Sequence, residues 1–242
     1  ASMDAFRKDV SSGNVAAVIF YNANPVYDYY KGEELKNALS KVGLKIATSP
    51  VQDETASLAD YLAPDNHYLE SWNDACPKKG QYSLSQPTIT PIYKTRQAQS
   101  SFLTWSGNDG DYFSYLQNNW KAMSTGSFQS FWDKTLHDGI YENTSEVENA
   151  DITFVGDIAG EANNIANNYK SGGVELVIYE KSSVGNGSLG NNPLLHELPD
   201  PITKATWDNY VTMSIADAGF RLDDAKTKMA SVTIGGATVA LP

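Results

Sequence analysis

Seven consecutive residues near the start, Val15-Ala16-Ala17-Val18-Ile19-Phe20-Tyr21, are β-branched, small or aromatic without a polar interruption. Such a run fits a strand buried on both faces of a parallel sheet, whereas a half-solvated antiparallel strand would alternate apolar with polar residues. The run stops at Asn22-Ala23-Asn24-Pro25. Proline has no N–H for a ladder and holds the residue before it extended, so the chain leaves the carboxyl end of the strand through a loop. In open α/β sheets that end is where ligands sit. Residues 32–42 then carry Leu35, Leu39 and Val42 at helical spacing, with Glu33 and Glu34 early and Lys41 late, the arrangement a helix dipole favours. Gly43 ends that helix, Leu44-Lys45-Ile46-Ala47-Thr48 reads as a second strand, and Asp53 is placed to cap a helical turn after it. The order is βαβα, which implies a right-handed parallel crossover.

Further along, residues 61–64 read as a short strand, and residues 70–91, with prolines at 77, 87 and 91, as an irregular surface loop. Two amphipathic helices are expected between residues 110 and 139. One carries Tyr112, Phe113, Leu116 and Trp120, the other Phe128, Phe131, Trp132 and Leu136, as core contacts. A polar stretch at 143–149 places a boundary near residue 146, giving domains 1–145 and 146–242. The second part reads as a strand over 151–155, a helix over 159–169, a strand over 174–179 and a Gly/Asn loop over 185–193. A strand at 210–214, a short helix at 215–220 and a hairpin around Gly235-Gly236 follow. The last apolar strand, Val239-Ala240-Leu241, has no later partner, so a truncated domain is expected, with an open edge through which a homodimer could form.

Composition excludes several functions. A formal net charge of −11 opposes binding to phosphate backbones, and no basic cluster is interleaved with aromatics, so nucleic acid is not an expected partner. With a single cysteine, Cys76, the chain can neither close an internal disulfide nor supply the thiolates of an iron–sulfur cluster or a structural zinc site. The longest apolar stretches fall far short of the ~20 residues of a membrane-spanning helix, so no direct span is expected and the chain reads as soluble. Its first residues read as an ordinary polar helix start, so no signal peptide is expected there.

The usual catalytic patterns are missing. The loop after the first strand lacks the glycines of a dinucleotide fingerprint or P-loop, and Gly185-Asn186-Gly187-Ser188-Leu189-Gly190 has no helix after it. His67, His137 and His196 have no second ligand at metal-binding spacing. Glu70 and Asp74, with Tyr68 and Trp72 nearby, could pair for sugar chemistry, but the spacing is not specific and a solvated acidic loop is the favoured account.

Several motifs taken in order carry a resemblance. Asn22-Ala23-Asn24-Pro25, then Ser49-Pro50-Val51-Gln52-Asp53-Glu54-Thr55-Ala56 and Ala59-Asp60-Tyr61-Leu62-Ala63-Pro64, resemble the third-domain signature of the molybdopterin oxidoreductases. Tyr68-Leu69-Glu70-Ser71-Trp72 and Gln86-Pro87-Thr88-Ile89-Thr90-Pro91 are similar to the continuation in polysulfide-reductase-like members. The run from Asn191-Asn192-Pro193 through His196-Glu197-Leu198-Pro199-Asp200-Pro201 to Thr206-Trp207-Asp208-Asn209-Tyr210 resembles the molybdopterin-like iron–sulfur B subunit of bacterial alternative complex III.

The resemblance implies an α/β fold: a Rossmann-like parallel-sheet domain, then a smaller mixed α/β part leading into the truncated start of a dinucleotide-binding-type β-barrel. Carried over by position, Asn22, Asn24 and Pro25 form a loop facing molybdopterin guanine dinucleotide, and Asp53, Glu54 and Thr55 a second contact. The family's metal ligand and cysteine-rich cluster region are not in this sequence. The resemblance therefore implies a fragment without a cofactor of its own and without turnover. It would serve as a scaffold beside other subunits of a membrane-bound, quinol-oxidising complex at the periplasmic face of the bacterial inner membrane, with iron–sulfur clusters elsewhere in the parent chain. Two alternatives stand beside it: part of an active molybdopterin guanine dinucleotide-dependent oxidoreductase, and an extracytoplasmic carbohydrate-binding module suggested by the abundance of Tyr and Trp.

Overall fold

The structure, a computed structural model, describes residues 2–143, 153–169, 174–219, 229–234 and 236–242. The chain divides into two compact units, residues 1–169 and 170–242. The boundary expected near residue 146 lies outside the described residues.

The first unit opens with α1 (Met3–Ser11), capped by the Ser2 hydroxyl accepting from the Ala5 N–H. Strand β1 (Ala17–Phe20) follows, then a short helix α2 (Pro25–Asp28), α3 (Gly32–Leu39), β2 (Leu44–Ala47) and β3 (Tyr61–Leu62). The three strands pair in the order β1-β2-β3, all parallel, with Ile19 opposite Ile46 and Ile46 opposite Tyr61. The expected βαβ unit is therefore present. Its core lies on one face, where Val10 of α1, Leu35 and Leu39 of α3, Phe20 of β1 and Ala47 of β2 are buried together. Burying each large aliphatic side chain here stabilises the fold by about 1.5–3 kcal/mol. Gly32 is required where α2 meets α3, because a Cβ on it would lie 2.0 Å from the Val26 carbonyl oxygen. Arg7 and Glu34 join α1 to α3 by a 2.8 Å ion pair.

Residues 70–91 depart from the expected loop. Strands β4 (Asn73–Lys78) and β5 (Gln81–Ser85) form an antiparallel hairpin. The ladder shifts between Ala75 and Lys78, and Pro77 sits inside that bulge, where its missing N–H costs no ladder bond. Gly80, with φ +79°, makes the turn. Because proline signals a break to any local reading, the bulged hairpin is visible only in the pairing.

Helix α4 (Ala98–Trp105) precedes the two aromatic helices, α5 (Tyr112–Lys121) and α6 (Phe128–Asp138). Asp111 and Ser127 cap their starts, and Gly139 at φ +72° ends α6. Strand β6 (Ile140–Glu142) then pairs with β5. Leu116, Trp120 and Trp132 are buried with Leu84 in a second core, so the aromatic stripes pack as expected. Helix α7 (Ile158–Asn168) closes the unit, capped by Asp157.

The second unit contains α8 (Pro193–Glu197), α9 (Ile215–Ala218) and a hairpin of β7 (Ala230–Ile234) with β8 (Ala237–Leu241). Gly236 at φ +89° provides the left-handed turn residue, while Gly235 lies outside the described residues. The fold is mixed α/β, as the sequence indicates, and there is no closed barrel among the described residues. Three expected strands carry no ladder among the described residues: 174–179, 210–214 and the part of 151–155 that is described, 153–155, with 151 and 152 outside the described residues. Strand-forming side chains alone do not make a strand, because the backbone groups need a neighbouring edge. The short helix expected at 215–220 is present over Ile215–Ala218, and residue 220 lies outside the described residues.

Candidate functional site at the carboxyl ends of the parallel strands

The loops leaving β1 and β2 lie side by side at one end of the parallel sheet, and they are bonded to one another. Asn24 is the first residue of the α2 turn, and its carbonyl accepts from the N–H groups of Tyr27 and Asp28. Its side chain makes no capping bond and reaches across to the second loop. There its Oδ1 accepts from the Thr55 hydroxyl at 2.6 Å and the Thr55 N–H at 3.2 Å, while its Nδ2 donates to Glu54 Oε2 at 2.8 Å. Thr55 is fully buried, and its Oγ1 also accepts from the Val26 N–H at 3.1 Å. Pro25 starts α2, the position where its missing N–H has no intrahelical role.

Asp53 is engaged within its own loop. One carboxylate oxygen accepts from the Ala56 N–H at 2.7 Å and the other from the Ser49 hydroxyl at 2.8 Å. The N-cap of the turn at Ala56–Leu58 is Thr55 rather than the expected Asp53, whose carboxylate nonetheless accepts from the first N–H of that turn. Asn22 stands apart. It is exposed, adopts a left-handed φ of +49°, and makes no hydrogen bond to the other five residues. The structure therefore joins Asn24, Pro25, Glu54 and Thr55, keeps Asp53 beside them and leaves Asn22 outside the network.

The electrostatics follow the contacts. The Asn24 amide holds the Glu54 carboxyl below its ordinary range. Partial burial, then the neighbouring Asp53 and Glu54 carboxylates, push Asp28 up. The mouth of the two loops is acidic.

The third loop was not legible in the sequence as part of this end. Asp65 follows β3, and its Oδ1 accepts from the N–H groups of Asn66 and Ala98, both at 2.8 Å, which ties the loop to the start of α4. Desolvation pushes the Asp65 carboxyl up, opposed by those two N–H groups. Tyr21, just past β1, accepts from Gln99 Nε2 at 2.8 Å, and its ring meets Phe102 edge to face. The dipeptide Pro64-Asp65 signals a turn, but nothing local connects it to residue 98.

The remaining candidates have structural roles. Glu70 accepts from the N–H groups of His67 and Ile92, and Asp74 accepts from Trp120 Nε1 at 2.9 Å, so the two carboxylates serve different partners. Trp72 packs against the aromatic core. His196 lies against the Gly190 carbonyl and stacks on Trp207, and His137 is paired with Asp138. Among the described residues no group of three or more His, Cys, Asp or Glu could hold a metal ion, and no helix is long and apolar enough to cross a membrane.

Comparison with known proteins adds one relationship. Over 98 residues the chain is 35% identical to the menaquinone reductase, molybdopterin-binding-like subunit, of Nitratidesulfovibrio vulgaris. The chain is similar to that subunit. The similar stretch covers 39% of this chain and 14% of the length of that relative. Among solved structures, acetylene hydratase from Pelobacter acetylenicus aligns with a TM-score of 0.37 and 19% identity, over 44% of this chain and 16% of that one, a likeness too loose to carry an argument. No family model matches the sequence.

Proposed function

We propose that this chain belongs to a molybdopterin oxidoreductase-like subunit of a quinone-linked respiratory complex, of the alternative complex III type, and serves there as a cofactor-free scaffold. The observation that carries the family part is the 35% identity to the molybdopterin-binding-like subunit of menaquinone reductase. The scaffold part is supported by the candidate loops. The Asn24 amide, the Thr55 hydroxyl and one Glu54 carboxylate oxygen, with which these loops would grip a dinucleotide, are bonded to one another, and both Asp53 oxygens accept within its loop. Three carboxylates, Asp28, Asp53 and Glu54, crowd the place where an anionic diphosphate would approach. Three carboxylates and a polar network already bonded to itself fit an anionic dinucleotide poorly, because the ligand must first break bonds already made.

In this reading the electrons pass through iron–sulfur clusters in the rest of the parent subunit and through partner subunits at the periplasmic face of the inner membrane. A sugar-binding role gains no support, since Trp72 packs against the aromatic core and Glu70 and Asp74 are each committed elsewhere. The test is elemental analysis and released-pterin fluorescence on the parent complex. Iron without stoichiometric molybdenum or pterin is the expected result. Stoichiometric molybdenum and pterin would overturn the scaffold reading in favour of an active dinucleotide-dependent oxidoreductase.

A further inference from the structure

Strand β1 is the most continuously apolar strand in the sequence, yet it stands at the edge of its sheet. The ladder shows which groups are free. Leu44 N–H donates to the Ala16 carbonyl and Thr48 N–H to the Phe20 carbonyl, so the even-numbered residues of β1 face β2. By the alternation of a parallel ladder, the N–H and C=O groups of Ala17 and Ile19 point to the opposite edge, which carries no strand among the described residues. The same two side chains lie on the sheet face away from the Val10, Phe20 and Leu35 core, and Ile19 is 47% exposed. A parallel sheet with one apolar face and one apolar edge open is rare, because crossover helices normally cover both faces.

Elsewhere in the same unit, a segment has the opposite deficit. Residues 153–155 carry Phe154 and Val155, which are 76% and 93% exposed. Helix α7 begins two residues further on and buries none of its residues, with Ile158 and Ile165 each 70% exposed on one side at a spacing of two turns. This is a strand-forming segment and an amphipathic helix, each without a surface to rest on.

We propose that residues 153–155 add to the free edge of β1 as a fourth parallel strand, with α7 resting on the open face of the sheet. The occupant is this segment of the same chain. In a doubly wound sheet the order 3-2-1-4 puts the next strand against β1, and it reverses the direction of winding there. With right-handed crossovers, a helix following a strand on that side covers the face opposite α3, which is the face carrying Ala17 and Ile19. Polar groups and apolar surface left over on both partners are then satisfied in one step. The sheet also gains the strand-order reversal at which α/β folds bind ligands, alongside the loop that begins at Tyr21.

The experiment is amide-resolved hydrogen exchange on the full chain at two protein concentrations, reading the Ala17 and Ile19 amides. They are expected to exchange on the order of 100-fold more slowly than free amides at both concentrations. In a Phe154→Asp, Val155→Asp double variant that protection is lost, while the Leu35 and Leu39 amides of α3 stay protected and show that the βαβ core is intact. Ala17→Pro removes one outward N–H without touching a bond to β2, and it should free the Ile19 amide in the same way. Rapid exchange of Ala17 and Ile19 in the unaltered chain overturns the proposal. So does protection that survives the double variant, and if that protection disappears on dilution, the edge is held by a second copy instead.

Discussion

Thr55 Oγ1 donates a 2.6 Å hydrogen bond to Asn24 Oδ1, joining two loops that are 31 residues apart in the chain. Because Thr55 is buried and its N–H bonds to the same oxygen, removing the Asn24 amide leaves two buried donors without their partner. Asn24→Ala should therefore cost about 1–3 kcal/mol. Urea unfolding of the full chain reads this directly, and a change below a few tenths of a kcal/mol would mean the loops do not depend on the bridge.

Asp28 gives the loop end a pH signature. Its carboxyl is pushed above the ordinary value of 3.8 by partial burial, then by Asp53 and Glu54. An acid whose pKa is raised on folding supports the fold when protonated, fully below about pH 3.8, and loses that support as pH rises through the folded value. Asp28→Asn should accordingly raise Tm near neutral pH and change it little near pH 3. A variant less stable than the parent at pH 7 would contradict the acidic crowding.

Asp74 is predicted to be a structural acceptor. Trp120 is fully buried, and its indole N–H finds Asp74 Oδ2 at 2.9 Å. Asp74→Ala leaves that N–H unsatisfied in the aromatic core, a loss of about 1–3 kcal/mol, whereas Asp74→Asn keeps an acceptor and should lose less. Denaturant curves followed by tryptophan fluorescence separate the two, and equal losses would show that the charge rather than the hydrogen bond matters.

Gly32→Ala tests the packing of α2 on α3. The added methyl would meet the Val26 carbonyl oxygen at 2.0 Å, a backbone atom that cannot swing aside. Overpacking of this kind typically costs about 1–3 kcal/mol, even though alanine is the better helix former. A stabilised variant would mean the junction relaxes freely.

Much of this architecture was legible in the chain itself. The uninterrupted apolar run at 15–21 and the Leu35 and Leu39 spacing determine a parallel βαβ start, because each is a pattern set within a few residues. The aromatic spacing of α5 and α6 likewise foretells their buried faces. Motif order also pointed to the loops that the structure brings together at the end of the sheet.

Tertiary structure alone decided how those residues spend their hydrogen bonds. Nothing in the sequence shows that the Asn24 side chain turns away from its own helix to meet Thr55 and Glu54, that Asp65 reaches the start of α4, or that Asp74 answers Trp120. Strand pairing was decided there too. Residues 73–78, which carry a proline and read as loop, pair with β5, whereas the strand-forming residues 153–155 and 174–179 carry no ladder among the described residues. A side chain's preference is local, whereas a backbone donor is satisfied only by whatever the rest of the fold places opposite it.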